Sequence, residues 1–225
     1  MAPKTITLYK YASVEYVKDV LCNQRLYLSD GRNFNDPFEL SVVNKNTGKT
    51  NFVDGLHILC LTNSYRKKLM WSHYADSHKG ICYTVEVPKE MIRSICYTGE
   101  RVYTNCDIDK IISNSKKGSK KSVSDDFTNF SFEKKVAFIK DQKWIDEKEF
   151  RIVFDSQDEE KLVVENSNYY LPVKIKNVYL GVNFEKNDDD NVKKDILSIC
   201  KERKIEIRKM ELSVDNYSLN IKKIV

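Results

Sequence analysis

Gly80-Ile81-Cys82-Tyr83-Thr84-Val85-Glu86-Val87, followed across a turn at Pro88 by Ile95-Cys96-Tyr97, decides the fold class of this chain. The first run is apolar and rich in β-branched and aromatic side chains, as a strand requires, and the next strand signal follows without an intervening helix. Strand patterns also occupy residues 6–11, 25–29, 57–62, 102–103, 150–154, 161–165, 171–180 and 205–208. They outnumber the helical patterns and do not alternate with them regularly, which points away from a doubly wound sheet. The expected fold is α+β: one domain over residues 1–225, with mixed or antiparallel sheets and a few packed helices.

The helices expected are few. Ser13 stands as N-cap before Val14, Tyr16, Val17, Val20 and Leu21, which share one helix face. A short helix carries Met70. Phe127, Phe130, Val136, Ala137 and Ile139 approximate helical spacing between Asp125 and Lys143. A last helix runs from an acidic stretch at 187–190 to Cys200, with Lys201, Arg203 and Lys204 near its negative end. Residues 217–221 are expected to pair with 205–208 as a terminal hairpin, and 31–51 read as a long surface excursion.

Composition narrows the class. With 41% hydrophobic and 32% charged residues, and only 7 Gly and 4 Pro in 225 residues, the chain is globular rather than fibrous or disordered. No apolar run approaches the ~20 residues needed to span a bilayer, and the N-terminus lacks the apolar core of a secretory signal, so no membrane association and a cytoplasmic location are expected. The six cysteines form no C-x-x-C pair, and Cys60, Cys82 and Cys96 sit in apolar runs where a reduced thiol acts as a small hydrophobe. The net charge of +5 is dispersed except at Lys116, Lys117, Lys120 and Lys121. This Lys/Ser-rich segment, around 113–125, reads as a mobile loop, either merely solvated or steering phosphates of a nucleic acid.

Three islands concentrate unusual residues: Phe34-Asn35-Asp36-Pro37-Phe38-Glu39, Met70-Trp71-Ser72-His73-Tyr74-Ala75-Asp76, and Trp144 through Val153. They suggest one site assembled from distant segments. His73 is suited to acid–base or hydrogen-bonding work, its alternative being a structural imidazole. Trp71 and Tyr74 are either core volume or an aromatic wall for a flat ring. Glu147 and Glu149, two apart and followed by Arg151, share a face if the strand begins at Glu147; the pair then either divides acid and base roles or forms a salt-bridge row with Lys148 and Arg151. Asn35, Asp36 and Pro37 form a turn that shapes a pocket or touches its ligand. No metal site is expected: there is no H-E-x-x-H, and His57, His73 and His78 have no ligand spacing with acids. Phosphate-loop, dinucleotide and nucleophile-elbow motifs are missing as well.

LYKYAS, LSDGRNFNDPFE, LMWSHYADSHKGICY and WIDEKEFRIV, in this order, resemble the prokaryotic domain of unknown function 2971 family over roughly the first two-thirds of the chain. A second resemblance is to ADP-ribosyltransferases, which implies that family's fold and NAD as substrate. On that scheme Tyr9, Lys10 or Tyr11 would contact NAD from the first strand, Tyr74 or Tyr83 would flank nicotinamide, and Glu149 would be the late catalytic glutamate with Glu147 completing an E-x-E. Lys10 departs from the scheme, standing where a His or Arg is usual. The resemblance implies an NAD-using ADP-ribosyltransferase-like enzyme, of the kind found in prokaryotic toxins or phage-defence effectors, acting on nucleic acid or protein. Its catalytic residues are Glu149, His73 and Glu147, and its nucleotide contacts are Tyr9, Lys10, Tyr11, Asn35, Asp36, Trp71, Tyr74 and Arg151. The alternative is a non-catalytic nucleotide- or partner-binding module.

Overall fold

The computed structural model describes residues 4–44, 46–101, 104–115, 126–187 and 190–224. In chain order the first elements are β1 (Thr5–Ala12), α1 (Val17–Asn23), β2 (Arg25–Tyr27), β3 (Ser29–Asp30), β4 (Ser41–Val43), β5 (Thr50–Phe52), β6 (His57–Thr62), α2 (Lys68–Tyr74), β7 (Ile81–Pro88), β8 (Arg93–Ser94) and β9 (Cys96–Thr98). There follow α3 (Asn105–Ser115), α4 (Phe132–Val136), β10 (Ile139–Asp141), β11 (Glu149–Phe154), β12 (Val163–Glu165), β13 (Asn168–Pro172), β14 (Lys174–Leu180), α5 (Asp190–Arg203), β15 (Glu206–Leu212) and β16 (Leu219–Lys223). The chain is mixed α and β, and among the described residues no helix is long and apolar enough to cross a membrane.

Two compact units emerge. One comprises Met1–Lys4, Tyr27–Cys60 and Pro88–Leu171; the other comprises Thr5–Leu26, Leu61–Val87 and Pro172–Val225. In the second unit the strand order is β16-β15-β14-β7-β1-β6. β14 and β15 are parallel, so the chain must cross over between them, and α5 is that crossover. β15 and β16 form the expected terminal hairpin. α1 packs on α5, with Lys18 reaching Asp195 at 3.3 Å. On one sheet face the alternation of β1 presents Tyr9 and Tyr11 to a cluster formed with Trp71, Ala75, Cys82, Tyr179, Met210 and Leu219. Gly80 and Gly181 are needed here: a Cβ at Gly80 would lie 2.3 Å from the Ala12 carbonyl oxygen, and one at Gly181 2.0 Å from that of His78.

The first unit is built differently. The early residues of β6 pair with β3, and β11 lies between β6 and β8. β4–β5 and β12–β13 are hairpins, while β9 and β10 run parallel, placing Tyr97 opposite Lys140. Its core gathers Leu56, Ile58, Ile95, Val153 and α3's Ile108, Ile111 and Ile112 around Phe127, Phe138 and Ile139.

Several local expectations change. Ser13 is no cap: α1 begins at Val17 behind Tyr16, with no side chain capping it, because residues 14–17 first close a turn through Val17 N–H to Val14 O. Among the described residues from 126 to 143 only five are α-helical, capped by Ser131, and the apolar spacing there serves a turn, a short helix and β10, all facing one core. Residues 171–180 split into β13 and β14, and the expected strand at 102–103 and the lysines at 116–121 lie outside the described residues.

Candidate functional site

The Phe34–Glu39 island and the Trp144–Val153 island meet in the first unit, on a buried set of charges. Asp36 opens the turn: its Oδ1 accepts the Phe38 N–H at 2.9 Å, and its Oδ2 accepts the Trp144 Nε1–H at 2.7 Å. Leu40 then takes a left-handed backbone (φ 53°), unusual for a buried Leu, and the reversal leaves Glu39 pointing inward while Phe38 stays 63% exposed. At the other island, residues 142–147 form a 3-10 turn ended by Lys148 at φ 45°. β11 therefore starts at Glu149 and not at Glu147, so the two glutamates do not share a strand face. The left-handed Lys148 nonetheless lets both reach the same partner.

That partner is Lys140. Its Nζ lies 2.9 Å from Glu39 Oε1, 2.6 Å from Glu147 Oε2 and 2.9 Å from Glu149 Oε2. Arg151 donates through Nε to Glu149 Oε1 at 2.6 Å, through Nη2 to Glu149 Oε2 at 3.1 Å, and through Nη1 to the Ala137 carbonyl at 2.8 Å, and Nη2 also meets Glu39. Trp144 lies over the Lys140 ammonium at 5.2 Å and Phe34 over the Arg151 guanidinium at 5.0 Å. The Tyr97 hydroxyl accepts the Glu149 N–H at 2.9 Å. None of the five charged side chains belongs to a residue more than 6% exposed.

Burial pushes the Glu149 carboxyl up, but the charges and hydrogen bonds of Arg151 and Lys140 outweigh it and hold the group at about 2. Burial likewise pulls the Lys140 ammonium down, and the carboxylates of Glu149, Glu39 and Glu147 reverse that, raising it. The Tyr97 phenol is raised, chiefly by burial. At neutral pH Glu149 is thus a carboxylate with both oxygens engaged and Lys140 a fully charged ammonium among three acids. Neither is poised as a base or nucleophile in this arrangement. Among the described residues no three His, Cys, Asp or Glu side chains stand ready for a metal; the position between the three glutamates is held by the ammonium itself.

Beside this network opens a cleft of about 240 Å³, with Glu39 and Lys140 in its wall and Phe38, Arg101, Lys143 and Asp141 among its lining. The Arg101 guanidinium lies 5.2 Å from the Phe38 ring centre, and its Nη2 donates to Ser41 Oγ at 3.0 Å. Sequence reasoning singled out Asp36, Glu147, Glu149 and Arg151, and they converge here, with Asn35 exposed at the turn. It missed Lys140 and Arg101. The signal for Lys140 was a lysine directly after the apolar run Val136-Ala137-Phe138-Ile139, a position that demands carboxylate partners if the strand carries it into the core.

The remaining candidates belong to the second unit. Trp71 is a core residue there, fully buried, edge-on to Tyr11 at 5.1 Å and donating from Nε1 to the Tyr65 carbonyl at 2.8 Å. Tyr11 gives its hydroxyl hydrogen to the Ser64 carbonyl at 2.9 Å. Tyr9 packs in a tyrosine cluster with Tyr65 and Tyr179, whose rings stack at 4.2 Å. His73 is exposed, its ring 6.3 Å from that of Tyr74; Lys10 is half-buried, and Tyr83 is buried in the sheet.

Residues 70–152 match the model of a family described as protein of unknown function (DUF2971). The resemblance read from the second and third islands thus holds over that span, which contains Trp71 at one end and Lys140, Glu147, Glu149 and Arg151 at the other. No curated protein and no solved structure matches the chain.

Proposed function

We propose that the first unit is a recognition module that binds a nucleotide, without catalysis, in the cleft between Phe38, Arg101 and Lys143. The observation that carries this reading is the state of Glu149. A transferase glutamate must offer an oxygen to a ribose hydroxyl, whereas here Arg151 and Lys140 claim both. The left-handed Leu40, the Asx turn at Asp36 and the ion pairs of Glu39 are instead spent on fixing the turn that bears Phe38, an exposed aromatic ring at the cleft. An exposed ring held this firmly is a stacking surface for a base. Arg101 and Lys143 stand where phosphates would enter, Arg101 in the planar geometry suited to phosphate oxygens.

Calorimetric titration with AMP, ATP and NAD tests the reading. Binding is expected with the native protein and is expected to fall at least about tenfold in Phe38→Ala or Arg101→Ala, with melting unchanged because both side chains are largely outside the core. Release of nicotinamide from NAD, suppressed in Glu149→Gln, would overturn the non-catalytic reading in favour of an ADP-ribosyltransferase or NAD glycohydrolase.

A further inference from the structure

Val214 and Tyr217, 96% and 95% exposed, are the two most exposed large apolar side chains among the described residues, and Leu212, at 70%, is the third. All three sit on one hairpin tip in the second unit, where β15 ends and β16 begins. The tip is held in shape: the Ser213 N–H donates to the Ser218 carbonyl at 3.0 Å, and the Asp215 N–H to Ser213 Oγ at 3.3 Å. These residues line a cleft of about 500 Å³, which the buried Leu219 and the exposed Lys68 of α2 complete. Single apolar side chains on a surface need no explanation, but three gathered around one cleft mark a contact surface. Two charges share its lining, Lys68 and Asp215. Among the described residues neither side chain has an ion pair, and the Lys68 ammonium lies 6.0 Å from the Tyr217 ring centre instead.

We infer that this patch is where a second copy of the chain docks, the hairpin tip of each copy closing the cleft of the other about a two-fold axis. A two-fold contact sets a surface against itself, so the patch must carry both members of every pair it makes. This one does. The tip brings Val214 and Tyr217 with Asp215 between them, and the cleft brings Leu212 and Leu219 with Lys68. Tip against cleft therefore sets apolar on apolar and acid on base, twice over. A lipid surface would instead have to take in Asp215 and Asn216 with the apolar tip, a charge buried without a partner. The contact also has an end. β16 is the edge of the sheet, and its exposed Lys222 and Lys223 oppose the addition of a further strand, so assembly stops at two copies. The patch is smaller than the ~20–30 residues a side of a standard interface, which sets the expected dissociation constant in the micromolar range.

Sedimentation equilibrium of the full chain, from micromolar to near-millimolar concentration, tests the inference. The mass is expected to rise from monomer toward dimer and no further. Tyr217→Ser is expected to weaken association at least about tenfold, while the dilute protein melts as native because the ring lies outside the core. Lys68→Glu and Asp215→Lys, each alone, set like charges together at both pairs and are expected to stay monomeric. Mixed in equal amounts the two variants are expected to associate, because every pair between them is again of opposite sign. A native protein that is monomeric throughout overturns the inference, and flotation of that monomer with vesicles of phosphatidylcholine and phosphatidylserine would assign the patch to lipid. A dimer that Tyr217→Ser leaves equally tight, or charge variants that gain nothing on mixing, overturns it as well.

Discussion

Glu149 illustrates how one residue's chemistry depends on what the fold puts around it. In the sequence it stands two places from another glutamate, which suggests repulsion and a raised carboxyl. In the structure an arginine and a lysine sit against it, and its carboxyl falls from an ordinary 4.5 to about 2. Because it titrates lower folded than unfolded, its stabilisation is complete above about pH 4.5 and is lost as the pH falls from there toward 2. Urea unfolding of the first unit, followed between pH 7 and pH 3, is expected to show stability declining below about pH 5, and Glu149→Gln is expected to flatten that decline. At pH 7 the same substitution removes the carboxylate that Lys140 and Arg151 share, leaving Glu39 to both and Glu147 to Lys140, and should cost about 3–5 kcal/mol. Lys140→Met, which leaves three carboxylates facing one another, should be no milder. The double variant should cost less than the two singles added, by roughly 0.5–3 kcal/mol, since the pair is in contact.

At the scale of elements, the strands were the legible part. Their positions follow from β-branched and aromatic runs bounded by turn residues, and most expected strands appear, with 171–180 broken where Val173 leaves the ladder to donate to the Gln24 carbonyl. Short turns with left-handed residues were not legible, because Leu40, Lys148 and, at the end of α1, Gln24 (φ 49°) carry no sequence mark of positive φ. That is why the sequence left open whether the strand of 150–154 extends back to Glu147: nothing in Asp146-Glu147-Lys148-Glu149 announces that Lys148 reverses the chain. The strain at Lys148 is testable. Lys148→Gly removes the Cβ from an exposed left-handed position and is expected to be neutral to stabilising, by at most about 1 kcal/mol. Lys148→Val, β-branched in the same backbone, is expected to destabilise by about 1–2 kcal/mol. A melting series of the two variants should therefore straddle the native value; equal and large losses in both would mean that the Lys148 side chain itself matters.

At the scale of the whole molecule, the three sequence islands turn out to have two kinds of reason for being dense. The first and third supply the charges and turn of the first unit's site, and their joint use was visible in composition though its key, Lys140, was not. The Met70–Asp76 island serves the core of the second unit: Trp71 fills the space between α2 and the sheet, and its indole N–H is spent on the Tyr65 carbonyl. An aromatic cluster reads alike from sequence whether it lines a pocket or a core, because both need flat apolar area with a polar handle. Stability separates them. Trp71→Ala removes a wholly buried indole and its hydrogen bond, so it is expected to cost about 3–5 kcal/mol and to lower the melting temperature sharply. Hydrogen exchange should locate the damage in β1, β7, β14 and β15, whose side chains Tyr11, Cys82, Tyr179 and Met210 share its cluster. His73→Ala on the same helix removes an exposed ring and is expected to stay within about 0.5 kcal/mol of native. A Trp71→Ala protein that melts normally with native protection in those strands would refute the core assignment.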